Sequence, residues 1–227
     1  MQTLIDIDNY LLMLFNGSNS SFIDGIMMIA TNGLTWIPLY VALLLLVIKN
    51  NESMSQICIV VGGALACVLI STILADVVVK PLCERYRPTS DPIIKYAVDV
   101  VDNYRPGKYG FFSAHAANTF SLALYMSLWV RKRLFTSFMI LWSLINCYSR
   151  LYLGVHYPSD ILVGLLIGAI VAVAAYIVSR YIYFKISIEF NYISSQYSST
   201  GYSISDIDMV IMVMVALFMV SILVPLL

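Results

Sequence analysis

The chain has 227 residues, of which 60% are hydrophobic and 11% charged, with zero formal net charge and a mean hydropathy of +0.86. A soluble domain usually carries about 25% charged residues, so the composition excludes an ordinary water-soluble fold. Without net positive charge it also excludes a nucleic-acid partner.

In chain order, no Lys or Arg precedes Lys49. The basic start of a secretory signal is missing, and the N-terminus is expected to be retained. Residues 4–15 (LIDIDNYLLMLF) mix Asp6 and Asp8 with large apolar groups. They are too short to span a bilayer and read as a helix lying on its surface. About six spanning helices follow: Ile26 to Ile48, Ile57 to Val79, Ala114 to Val130, Leu134 to Tyr148, Ile161 to Ile182 and Met209 to Leu227. Thr31-Asn32-Gly33 weakens the start of the first. The expected fold class is all-α, a polytopic membrane helical bundle, because backbone amides in lipid must bond internally and no barrel-like alternation is present.

Two polar segments interrupt the pattern, a long loop over 80–112 and a Ser- and Tyr-rich connector over 185–208. The expected organisation is a membrane domain over 1–184, the linker 185–208 and an added spanning helix over 209–227. Alternating the spans sorts Lys49, Arg131, Lys132, Arg133, Arg180 and Lys185 to one face. The other face receives Lys80, Arg85, Arg87, Lys95, Arg105, Lys108 and Arg150. The basic run Arg131-Lys132-Arg133 fills a very short turn, where the positive-inside bias is strongest, so that face is assigned to the cytoplasm. Cys58, Cys67, Cys83 and Cys147 form no CxxC pair. They are expected as small apolar residues rather than as disulfides or zinc ligands.

Three short segments fall at helix ends on the opposite, outer face. In Lys80-Pro-Leu-Cys-Glu-Arg-Tyr-Arg87-Pro88, Pro81 disfavours continuing the helix, so Lys80 and Arg87 can fold back on one point. In Phe111-Phe112-Ser113-Ala114-His115, Ser113 is a good N-cap, and the free amides of the first turn suit an anion. In Ser149-Arg150-Leu-Tyr-Leu-Gly-Val-His156-Tyr-Pro-Ser-Asp160, Pro158 suits the first helical position and Asp160 the first turn. Each alone has a plainer reading, as an interfacial anchor, an ordinary cap or a dipole-complementing acid.

Together they place three cations, a donor-rich helix end, two histidines and a carboxylate on one face. Phosphoryl transfer needs that set, because its transition state spreads negative charge over three equatorial oxygens. Lys80, Arg87, Arg150, Ser113 and nearby amides can hold those oxygens. His156 is the expected nucleophile, oriented through one ring nitrogen by Asp160, and His115 the acid and base. The cations do the charge work of a metal ion, so no metal or other cofactor is expected.

At these residues the sequence resembles the type 2 phosphatidic acid phosphatase superfamily, which also contains the vanadium haloperoxidases. That pattern is Lys, six residues, Arg-Pro; then Ser-Gly-His; then Ser-Arg, five residues, His, three residues, Asp. Lys80 to Arg87-Pro88 fits the first part, and Ser149-Arg150, His156 and Asp160 fit the third. Ala114 stands where the family has Gly, which keeps the amide donor but narrows the backbone options. The resemblance covers about residues 26–180. It implies the same roles for His156, Asp160 and His115, and a bundle with its site at the outer membrane–water boundary. The implied substrate is a lipid phosphate: phosphatidic acid, phosphatidylglycerol phosphate, a polyprenyl diphosphate or lipid A. A vanadate-dependent haloperoxidase and a non-catalytic lipid-phosphate binder or transporter are the alternatives.

Overall fold

The computed structural model describes residues 2–186 and 195–226. Among the described residues there is no β-strand. The helices are α1 (Gln2–Phe15), α2 (Ser21–Thr31), α3 (Ile37–Lys49), α4 (Met54–Thr72), α5 (Lys80–Cys83), α6 (Ala114–Val130), α7 (Arg133–Tyr152), α8 (Pro158–Ile186) and α9 (Ile204–Leu223). The all-α expectation therefore holds. Helix α1 turns Asp8 and Leu12 inward and leaves Ile5, Ile7, Tyr10 and Leu14 exposed, an apolar outer face that suits a membrane boundary.

The first predicted span is broken. Helices α2 and α3 are bent by 65° across a 3-10 turn at Gly33–Trp36. Asn32 Oδ1 accepts from Leu34 N–H at 3.1 Å, while Thr35 Oγ1 and Trp36 Nε1 donate to the carbonyls of Ile29 and Ala30. Side chains thus satisfy backbone groups that an unbroken helix would pair internally.

The second span runs on past Lys80, against the expectation that Pro81 ends it. A π-helical turn over Ile73–Val79 joins α4 to α5 and makes one 30-residue run, Met54–Cys83. Lys80 N–H bonds to Ala75 O, five residues back. The wider register precedes the proline, whose ring would crowd an ordinary α-turn. Glu84, at φ 45°, closes the run.

Among the described residues, three helical runs are long and apolar enough to cross a membrane: Met54–Cys83, Pro158–Ile186 and Ile204–Leu226. The bent pair Ser21–Thr31 and Gly33–Lys49 makes a fourth if it is one span. Helices α6 and α7 are the inner members of the bundle and carry buried Ser121, Ser127, Ser143 and Asn146. Their neighbours accept this polarity as hydrogen bonds, such as Thr119 Oγ1 to Ser143 Oγ at 3.1 Å.

The tightest packing joins α6 to α8. A Cβ on Gly164 would lie 2.7 Å from Ser113 O, and one on Gly168 2.7 Å from Ala117 O. Two glycines four residues apart share one helix face and let the two backbones touch. This contact sets the N-termini of α6 and α8 side by side, with Ser113 N–H donating to Asp160 O at 3.1 Å.

The main core lies deeper, where Trp36 meets Trp142 and Phe218 edge-on, each pair with ring centroids 5.9 Å apart. Helix α9 starts at Ile204, earlier than expected, and Asp206 pairs with Lys49 at 2.7 Å. Helix α8 continues to Ile186, so both ends of the predicted 185–208 linker are helical; its residues 187–194 lie outside the described ones. Within the rest, Ser198 N–H bonds to Tyr202 O at 2.8 Å. All four cysteines are free.

Candidate active site

Helix α7 extends beyond Tyr148 to Tyr152, so Arg150 sits in its last turn rather than in a loop. The chain then reverses at Gly154, whose φ is +63°. A Cβ there would also lie 2.3 Å from Val98 Cγ1, so only glycine fits. Val155 N–H bonds back to Arg150 O at 3.1 Å, and Pro158 opens α8. His156 is thereby held between two helix ends and is 2% exposed.

His156 Nε2 lies 3.0 Å from Arg87 NH1. A guanidinium only donates, so Nε2 accepts and the ring proton resides on Nδ1. Nδ1 in turn lies 3.4 Å from Asp160 Oδ2, an ion-pair distance that is long for a hydrogen bond, and it has no closer partner. Burial is the first cause holding His156 well below the ordinary imidazole value of 6.5. The cations Arg87, Arg150 and Lys80 act in the same direction. The ring is therefore neutral, the form in which Nε2 has a lone pair to offer.

Arg87 is itself buried, its Nε donating to Tyr109 O at 3.1 Å and its NH1 also to Val155 O at 3.2 Å. Burial, then Arg150, lower it to about 10, so it stays charged at neutral pH. Arg150 is 5% exposed and donates through NH1 to Thr31 Oγ1 at 2.6 Å and Tyr104 OH at 3.0 Å. Its Nε is buried and donates to no protein atom, which suits an oxyanion. Lys80 pairs with Asp76 one turn before it in the chain. Ser113 caps α6, its Oγ accepting from Ala116 N–H at 3.3 Å, and half-buried Ala114 opens the helix. His115 follows in the first turn and donates from Nε2 to Asn146 Oδ1 at 3.2 Å, because an amide oxygen can only accept.

The structure thus gathers Arg87, Ser113, His156 and Asp160 into direct contact around the α6–α8 junction. His115 and Arg150 join from α6 and α7, and Lys80 acts on His156 through its charge. Three further residues escaped sequence reading. Arg85 NH1 donates to Asp160 Oδ1 at 2.8 Å, Asp8 accepts from Arg85 NH2 at 2.5 Å, and Asn146 orients His115. A signal for Arg85 was present. The segment is extended, with Arg87 N–H bonded to Lys108 O and Gly110 N–H to Arg85 O. Residues two apart in such a segment share a side, so Arg85 accompanies Arg87.

Long apolar helices around buried His156, with half-buried His115 and three cations beside it, are those of a membrane lipid phosphatase. The profile of the PAP2 superfamily matches residues 58–184, and the chain belongs to that superfamily. It is 39% identical over 170 residues to the lipid A 4'-phosphatase of Bacteroides thetaiotaomicron, covering 74% of this chain and 75% of that one. To the lipid A 4'-phosphatase of Porphyromonas gingivalis it is 33% identical over 183 residues, covering 80% and 76%. The crystal structure of Aquifex aeolicus LpxE shares the fold with a TM-score of 0.53 at 22% identity, covering 73% of this chain and 92% of that one.

Proposed function

We propose that the chain removes a phosphate monoester from a lipid A-type glycolipid through a phosphohistidine. The observation that carries the reading is His156, neutral and buried, with Nε2 facing Arg87 and Nδ1 facing Asp160. Nε2 attacks phosphorus, the bond from phosphorus to the lipid oxygen breaks, and His115, protonated on both nitrogens in the substrate complex, passes that oxygen the proton on Nδ1 while Nε2–H stays on Asn146. Water then attacks phosphorus with His115 as base, the phosphorus–nitrogen bond breaks, and phosphate leaves. Lys80, Arg87, Arg150 and the Ser113–Ala114 helix start hold the phosphoryl oxygens. Two relatives named for the lipid A 4'-phosphate support the substrate class.

A cavity of about 490 Å³ supports the lipid body. It is lined by Leu43, Val60, Leu122, Met126 and Trp142, and it reaches His115. From His115 to Met126 it follows α6 for about 16 Å at 1.5 Å per residue. The acid must touch the leaving oxygen, so the lipid attached to that oxygen lies on this side.

Residues 1–184 form the catalytic unit in this reading, and α9 is an added helix. The bent α2–α3 pair, the α4–α5 run, α6, α7, α8 and α9 make six crossings of the inner membrane. The basic turn at Arg131 is cytoplasmic, and the site lies on the periplasmic face.

The test is phosphate release by the purified protein in detergent with EDTA present, offered lipid A, phosphatidic acid, phosphatidylglycerol phosphate and undecaprenyl diphosphate. Lipid A is expected to turn over fastest. His156→Ala and His115→Ala are expected to lose about two to four orders of magnitude. Equal rates in wild type and His156→Ala, or a rate that needs added metal, would end the proposal.

A further inference from the structure

Helix α1 precedes the region matched by the superfamily profile, yet its buried Asp8 reaches the active site. Asp8 is 7% exposed. Its Oδ1 accepts from Ser159 N–H at 2.9 Å, and its Oδ2 from Ser159 Oγ and Arg85 NH2, both at 2.5 Å. Arg85 NH1 then donates to Ser159 Oγ at 2.7 Å and to Asp160 Oδ1 at 2.8 Å. The Arg85 guanidinium lies 4.2 Å from the centre of the Tyr157 ring. One turn along α1, Leu12 packs against Tyr157 and Val98. The surface helix is therefore fastened to the segment that carries His156 and Asp160 by one apolar and one ionic contact.

We propose that Arg85 and Asp8 are positioning residues for the nucleophile, acting through Asp160; this rests on the phosphohistidine reading above. Asp160 is fully buried. Its Oδ1 is taken by Arg85 NH1, and its Oδ2 accepts from Tyr157 N–H at 3.1 Å and faces His156 Nδ1. Arg85 thus sets the rotation of the carboxylate and leaves Oδ2 as the atom turned to the imidazole. It also supplies the positive charge that a buried carboxylate needs to stay ionised. That ionised oxygen is what steadies the ring when phosphorus bonds to Nε2. Asp8 keeps Arg85 in place, because the Arg85 side chain is 30% exposed and would otherwise have water as a competing partner. Arg85 and Arg87, two apart in one extended segment, divide the work: one serves Asp160 and the other His156.

The experiment is a double-mutant cycle on the full-length protein in detergent, reading phosphate release from lipid A. Arg85→Gln is expected to lower kcat by about tenfold to a hundredfold with KM within about threefold, the pattern of an interaction used in the transition state. Asp8→Asn is expected to lower kcat by about threefold to tenfold, and Arg85→Lys to recover part of the Arg85→Gln loss. The double variant Arg85→Gln/Asp160→Asn is expected to be no slower than Asp160→Asn alone, because both act through one carboxylate. A merely structural Arg85 would make the two losses multiply, and that result overturns the proposal. So does an Arg85→Gln enzyme at wild-type rate beside an impaired Asp160→Asn. Wild-type rate in Asp160→Asn instead overturns the parent reading of Asp160. If Arg85→Gln yields no monodisperse protein, the same cycle is run with Asp8→Asn, and the same multiplication or full activity refutes the proposal.

Discussion

Asn146 tests the proposed acid–base step without itself meeting the phosphate, because it acts through His115. It is 1% exposed, accepts from His115 Nε2 at 3.2 Å and donates from Nδ2 to Trp142 O at 2.9 Å. Asn146→Leu keeps the branched shape and removes the acceptor. Losing one neutral hydrogen bond costs about 0.5–1.5 kcal/mol, and stranding a buried N–H about 1–3 kcal/mol. If about 1–2 kcal/mol of this is felt in the transition state, kcat falls about fivefold to thirtyfold at 1.36 kcal/mol per tenfold. KM should stay within about threefold, because no phosphate-binding group has moved. Steady-state phosphate release from lipid A measures both constants. An unchanged kcat would mean that the Nε2–Asn146 bond does not set the His115 tautomer used in the reaction. A rise in KM with kcat intact would place Asn146 in substrate binding instead.

Two other outcomes follow from packing and charge. His156 is held well below 6.5 by burial and by Arg87, Arg150 and Lys80, so below that pH the unfolded chain takes up a proton that the folded chain refuses. Stability therefore falls as pH drops below 6.5, by at most about 1.4 kcal/mol per pH unit from this group. Thermal melts in detergent should show that slope, and His156→Gln should flatten it; equal slopes would show that His156 is not buried neutral. Gly164→Leu places a side chain where a Cβ already lies 2.7 Å from Ser113 O. It should lower the melting temperature through about 1–3 kcal/mol of overpacking. Activity should fall further than stability, because the Ser113–Asp160 contact opens; a wild-type rate would show that the α6–α8 approach does not assemble the site.

The eight candidate residues were legible because their information is local. A Lys seven residues before Arg87-Pro88, a capping Ser two before His115, and an acid four after His156 each fix geometry within a turn or two of helix. The fold class was legible for a similar reason, since apolar runs report a bilayer whatever the tertiary arrangement. The errors lie where a hydrogen bond outside the regular helix ladder decides. The bend at Asn32 depends on Thr35 and Trp36 reaching back to α2 carbonyls. The passage through Pro81 depends on a π-turn that no propensity announces. The extra turn of α7 carries Arg150 to Thr31 and Tyr104, one on α2 and one in the long loop.

The same division explains why Asp8, Arg85 and Asn146 were missed while the candidate reacting residues were named. Most of the groups proposed to act on phosphorus lie at or beside helix ends, which carry recognisable signals in Ser113 and Pro158. Groups that steady them need only arrive with the right atom. Asp8 comes from a surface helix about 150 residues away in the chain from Ser159, a separation its hydrogen bond spans. Asn146 sits within α7, under two turns from its C-terminal end at about 3.6 residues per turn, where an amide reads as an ordinary buried polar residue until His115 is seen beside it. An ionisable or amide side chain buried in a membrane helix needs a partner. For this chain, asking which partner Asp8, Arg85 and Asn146 each serve leads to Asp160 for the first two and to His115 for the third. The proposed site is thus a group of candidate reacting residues around the α6–α8 junction, held by others drawn from α1, the long loop and α7.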